Sequence, residues 1–106
     1  MIELADDEGH RPFAAWFEQL DAVAAARVTI SLTRLSLGNT SNVKGVGQGV
    51  LELKIDFGPG YRVYFGKDGS DIVILVGGGT KKSQQRDIIA ARVLWQQYKS
   101  AKKRKM

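Results

Sequence analysis

The stretch GVLELKIDFGPGYRVYF, residues 49–65, decides how this chain folds. Leu51, Leu53, Ile55 and Phe57 alternate with Glu52, Lys54 and Asp56, the period of a strand that buries one face. Gly58-Pro59-Gly60 has the composition of a turn. Beyond it Tyr61, Val63 and Phe65 alternate with Arg62 and Tyr64, so the stretch predicts a hairpin. With Phe57 set opposite Tyr61, antiparallel register pairs Asp56 with Arg62 and Lys54 with Tyr64. Glu52, Lys54, Asp56, Arg62 and Tyr64 then share the face opposite the apolar set. Lys81 and Lys82, which follow the next strand, reach the same side. On spacing alone this face reads as solvated sheet surface, with Asp56–Arg62 a cross-strand ion pair worth under ~1 kcal/mol. The other reading is a site of polar chemistry.

On the C-terminal side, Lys67-Asp68-Gly69-Ser70 is a second turn and Ile72–Val76 a continuous apolar run. Such a run predicts a central strand buried on both faces. Gly77-Gly78-Gly79 ends it, and Ser83 caps a helix to about Tyr98 with Ile88, Ala91, Trp95 and Tyr98 on its apolar face. On the N-terminal side, KGVGQGV (residues 44–50) reads as irregular extended chain or a bulged edge. It is not a phosphate loop, because a strand follows it and no strand leads in. Further upstream, Pro12 opens a short helix over 12–20, with Phe13, Trp16, Phe17 and Leu20 on one face. A second helix runs from Val23 to Leu37, striped by Val28, Leu32 and Leu35 and by Val23, Ile30 and Leu37, and stops at Gly38-Asn39. Ile2–Leu4 is a candidate edge strand. The order predicts an α+β fold: an N-terminal helical hairpin and a C-terminal helix packed on a small antiparallel sheet.

The chain has 106 residues and reads as a single domain, residues 1–106. No cysteine is present, which excludes disulfides, thiolate nucleophiles and Cys-ligated metal; a single histidine, His10, excludes a His-pair nuclease. Any chemistry must come from Lys, Arg, Tyr, Asp, Glu, Ser or Thr, with no cofactor or metal expected. No apolar run approaches membrane-spanning length, and the acidic start has no apolar signal region, so a cytoplasmic location is expected. The net charge of +5 is uneven: −5 over residues 1–21, +2 over 22–80 and +8 over 81–106. A basic quarter attracts phosphate-rich partners. Its end, residues 99–106, reads as a basic tail, either disordered and merely solubilising or poised for such a partner.

From Gly49 through Phe65, then GGGTKKSQQRDI (residues 77–88) and a last helix, the chain resembles toxins of the RelE/ParE superfamily, in its HigB-like "addiction module killer" branch. The resemblance extends from Phe13 to Tyr98. It implies a type II toxin: a metal-independent messenger-RNA endonuclease that acts on the ribosome, inhibits translation and is silenced by a cognate antitoxin, usually a small helix-turn-helix protein. In that chemistry a ribose 2′-OH attacks the adjacent phosphorus, leaving a cyclic phosphate and a 5′-OH. It needs a base, positive charge at the phosphorane and a proton for the leaving oxygen.

Carried onto this sequence, the resemblance makes Arg62 the phosphate-stabilising arginine and Lys54 the strand lysine that acts as base. Lys81 or Lys82 is the basic residue after the third strand, with Lys82 preferred as catalytic. Two positions depart from the pattern: Glu52 stands where a second lysine is usual, and no tyrosine lies near Asp87 and Ile88. Tyr64 is the substitute proton donor, Asp87 a weaker one. Lys81, Arg86, Lys99, Lys102, Lys103 and Arg104 are the expected RNA contacts. The departures leave two alternatives: a ParE-like toxin that binds gyrase and cleaves nothing, or an inactive toxin-like binding module.

Overall fold

A computed structural model describes residues 1–104. In chain order the elements are β1 (Ile2–Glu3), α1 (Pro12–Phe17), α2 (Ala22–Ser36), β2 (Val43–Gly47), β3 (Val50–Ile55), β4 (Tyr61–Asp68), β5 (Asp71–Gly78) and α3 (Lys81–Arg104). The fold is α+β, as the sequence predicts. Five strands form one sheet in the order β1-β5-β4-β3-β2. The short β1 runs parallel to β5, and every other pair is antiparallel. The glycine-rich stretch is edge strand β2, with an irregular register between Gly45 and Gly47.

Local chemistry explains the helix ends. Pro12 occupies the first turn of α1, where its missing N–H costs nothing. The helix stops at Phe17, short of the predicted Leu20. There the Gln19 and Leu20 N–H groups turn to the carbonyls three residues back, Trp16 and Phe17, the tightening usual at a helix end. The Asp21 carboxylate caps α2 by accepting from the Ala24 N–H at 2.8 Å. At α3 the cap is Thr80, whose hydroxyl accepts from the Ser83 N–H at 3.2 Å. The cap therefore lies three residues before the predicted Ser83, and the helix starts at Lys81.

The hairpin register differs from expectation by two residues. Lys54 lies opposite Arg62, Glu52 opposite Tyr64 and Ile55 opposite Tyr61. The cause is local: the Phe57 N–H bonds back to the Ile55 carbonyl at 2.9 Å, and the Gly60 N–H to the Phe57 carbonyl at 3.0 Å. Phe57 thus belongs to the loop, and the Asp56–Arg62 and Lys54–Tyr64 pairs do not form. A shift of two preserves which side chains share a face, whereas a shift of one would exchange them.

Both faces of the sheet are covered. Helices α1 and α2 lie on Leu53, Ile55, Val63, Phe65 and Ile74 through Phe13, Val28 and Leu35. Helix α3 lies on Val50, Tyr64, Val73 and Leu75 through Ile88, Ala91 and Trp95. Each large apolar side chain buried this way stabilises the fold by about 1.5–3 kcal/mol. The face carrying Glu52, Arg62 and Tyr64 is therefore a helix-covered interior, not solvated surface.

Helix α3 also runs past its predicted end at Tyr98. It continues through residues 99–104, so Lys99, Lys102 and Lys103 stand on a helix. Lys105, Met106 and the placement of the Arg104 side chain lie outside the described residues. The extension is anchored from β4: the Tyr98 hydroxyl donates to Asp68 Oδ2 at 2.7 Å, and Lys102 Nζ donates to the same oxygen. These bonds, Lys102 first, hold the Asp68 carboxyl below its ordinary value, and Asp68 in turn raises Lys102. The anchoring is thus fully present above the ordinary carboxylate range and is lost as pH falls through the depressed folded value. The Lys102 share is lost only at strongly alkaline pH, as pH rises through its raised value. Cα chemical shifts of residues 98–102 are expected to move toward coil values below about pH 4. Asp68→Asn should show those shifts already at neutral pH; helical shifts in the variant would refute the anchor.

Candidate functional site

Four of the sequence-predicted site residues, Lys54, Arg62, Lys81 and Lys82, lie at the end of the sheet where α3 begins. Arg62 on β4 lies opposite Lys54 of β3 on one side and Gly78 of β5 on the other. Lys81 and Lys82 open α3 just beyond. Lys54, Lys81 and Lys82 are exposed. Arg62 retains 8% of its accessible surface, and its Nη1 donates to the Gly60 carbonyl at 3.0 Å.

Behind this rim the site becomes an interior polar cluster. Glu52 and Tyr64, paired across the ladder, are 1% and 0% exposed. The Glu52 carboxylate lies 3.8 Å from Arg62 Nε and 3.6 Å from Lys44 Nζ, and it accepts from Gln84 Nε2 at 2.9 Å. Among the described residues, Arg62 Nε and the Tyr64 hydroxyl have no hydrogen-bond partner. Asp87 of α3 stands directly over Gly78, where a β-carbon would collide with its carboxylate. Burial, reinforced by the nearby Glu52 carboxylate, raises the Tyr64 hydroxyl far above its ordinary range. Tyr64 therefore stays protonated at any physiological pH.

The structure thus divides the predicted catalytic set. Lys54, Arg62 and Lys82 share one end of the sheet with Lys81. Tyr64 sits beneath α3, closed off from any ligand outside; aromatic burial has taken the position that alternation assigned to the surface. The expected RNA contacts are also divided. Lys81 and the exposed Arg86 lie in the first turns of α3, while Lys99, Lys102 and Lys103 lie at its far end. There they flank a groove of about 290 Å³ with Trp95 and Tyr98. Lys99 stands over the Trp95 ring at 5.7 Å, and Lys102 is held by Asp68.

The chain is 40% identical over 86 residues to an uncharacterized protein of Haemophilus influenzae, a match that covers 80% of this chain and 87% of the other. The chain belongs to that protein's family. No known family profile matches it. A match of that length within 106 residues takes in 22–85 wherever it begins. The matched region therefore includes α2, strands β2–β5 and the start of α3.

Sequence reasoning missed Lys44 and Gln84 as partners of Glu52. The signal available was indirect. The apolar set of the hairpin suffices for α1 and α2, so the apolar face of α3 required the other side of the sheet. Any polar residue on that side had then to find a partner under a helix.

Proposed function

We propose that the chain is the toxin of a type II toxin–antitoxin module, a metal-independent endoribonuclease that cuts messenger RNA on the ribosome and is neutralised by a cognate antitoxin. One observation carries this reading. Lys54 and Arg62 oppose each other at the same end of the sheet where Lys81 and Lys82 open α3, three exposed lysines around an arginine held by the fold. Such a rim suits a phosphodiester turning into a phosphorane, whose added charge needs fixed cations.

In this mechanism Lys54 is the base that takes the proton of the 2′-OH as that oxygen attacks phosphorus. Arg62 neutralises the phosphorane, and the Lys82 ammonium returns a proton to the departing 5′ oxygen. The products are a 2′,3′-cyclic phosphate and a 5′-OH. Tyr64, being buried, has no part in proton transfer.

Brief expression followed by mapping of message ends tests this reading. Lys54→Met should reduce cleavage at least ~100-fold, the scale of a lost general base. Because Lys54 is exposed, the melting temperature should move by no more than about 2–4 °C. Full cleavage by the folded Lys54→Met protein would remove the assignment.

The pairing of Glu52 with Arg62 favours a second reading, in which the guanidinium is already neutralised from within and the fold binds gyrase without cutting RNA. Replication arrest with intact messages, unaffected by Lys54→Met, would support it.

A further inference from the structure

Helix α2 leaves an apolar line on the side away from the sheet. Val23 and Ile30, with Leu37 just past the last helical residue, are 60%, 47% and 82% exposed. They are spaced seven residues apart, so successive members stand almost directly above one another on a helix. The buried residues of α2 (Ala24, Val28 and Leu35) face the opposite way, so the core does not need the line. Three aligned aliphatic side chains in water lose the stabilisation their burial would give.

The same helix carries unmatched positive charge. Residues Ala22–Ser36 include Arg27 and Arg34 and no acid. By helical spacing both arginines lie beside the apolar line, on its sheet-ward flank. There they border a groove of about 260 Å³ between α2 and the end of β3, lined also by Lys54 and by Asp56, its single acid. Neither Arg27, Arg34 nor Lys54 makes a salt bridge among the described residues. Arg27 rests its guanidinium over the Phe57 ring at 4.9 Å instead.

An apolar line with a heptad period is the geometry against which a second helix packs lengthwise, and flanking charges then select the partner by sign. We infer that the outer face of α2, with the groove beside it, is the docking site for an acidic amphipathic helix of a partner protein. Its apolar side chains cover Val23, Ile30 and Leu37, and its carboxylates meet Arg27 and Arg34. The inference goes beyond the proposed nuclease and holds whether or not the chain cuts RNA, because none of these five side chains belongs to that site. Lys54 borders both surfaces, so an occupant of the groove would also lie against the rim of the candidate site.

The test uses the full chain and a fluorescein-labelled synthetic helix of about three heptads, with leucine at the core positions and glutamate on both flanks. Saturable binding is expected, with amide perturbations confined to residues 22–37 and 54–57. Val23→Ser with Ile30→Ser should weaken it by about tenfold or more. Arg27→Glu with Arg34→Glu should abolish it and create binding to the same probe carrying lysine in place of glutamate. All four substitutions are on the surface, so unchanged melting curves establish that the variants fold. Absence of binding by the folded parent, or equal affinity of the acidic probe for all variants, would overturn the inference. So would perturbation of the same amides by self-association, by phosphatidylglycerol vesicles or by a single-stranded RNA in place of the acidic probe.

Discussion

Arg62→Met is expected to destabilise the protein by about 3 kcal/mol, the low end of the cost of breaking a buried ion pair from one side. The loss comes from what remains. Glu52, 1% exposed, would be left with only Gln84 at 2.9 Å and the exposed Lys44 at 3.6 Å as partners. Those two partners, and the 3.8 Å separation of Glu52 from Arg62 Nε, are why the low end applies. For a domain whose whole stability is on the order of 5–15 kcal/mol, this is a large share. Urea denaturation would measure it, and Glu52→Leu combined with Arg62→Met should recover most of the loss, since no buried charge is then left alone. If the single variant unfolds within about 0.5 kcal/mol of the parent, the pair is not a structural element. The result also bears on the proposed function: Arg62→Met changes stability as well as the candidate site, so Lys54→Met is the cleaner probe of chemistry.

Gly77→Ala is expected to cost a similar amount for a steric reason. A β-carbon at Gly77 would fall within the Trp16 indole, against three of its ring atoms. The indole has little room to withdraw, being packed against Phe13 at 5.8 Å and Tyr61 at 6.0 Å between ring centroids. Forcing volume into such a contact typically costs 1–3 kcal/mol, and here about 3 kcal/mol is expected because a rigid ring must move with α1. Gly79→Ala is the control. Its added carbon would meet Tyr61 and Trp16 at 3.5–4.0 Å, ordinary contact, so its melting curve should stay within about 0.5 kcal/mol of the parent. Equal stability of the Gly77 and Gly79 variants would show that α1 does not press on β5 as described.

These positions show what was legible in the sequence. The hairpin, the apolar faces of α2 and α3 and the α+β order follow from periodicity, because burial imposes a period of two or 3.6. The triple glycine reads as a strand terminator, yet Gly77 and Gly78 lie inside β5. Their role is to admit Trp16 on one face and Asp87 on the other, and a single sequence does not reveal which ring or carboxylate will approach. The register of β3 on β4 depends on the backbone bonds of Phe57, and the extension of α3 on the meeting of Asp68 with Tyr98 and Lys102 some thirty residues away. Neither leaves a local pattern. At the candidate site, alternation puts Lys54 and Arg62 on one face with Lys82 near it, and only the resemblance gives them roles. The burial of Tyr64 and the Glu52 network were not, because they follow from which face α3 covers.

Strand β5 carries one residue more than β4 across from it: Tyr64 pairs with Val76 and Phe65 with Ile74, leaving Leu75 without a cross-strand partner. The strand therefore changes phase in its middle. Val76 joins Leu75 on the α3 side, and Gly77 and Gly78 come to lie under Trp16 and Asp87 respectively. Were that extra residue missing, the two halves of the strand would be in step and each glycine would face the wrong helix. Length in this strand is thus information. In aligning related sequences, a gap placed anywhere in 72–78 asserts a different pairing of helices with sheet, whereas a gap in the Lys67–Ser70 turn asserts almost nothing.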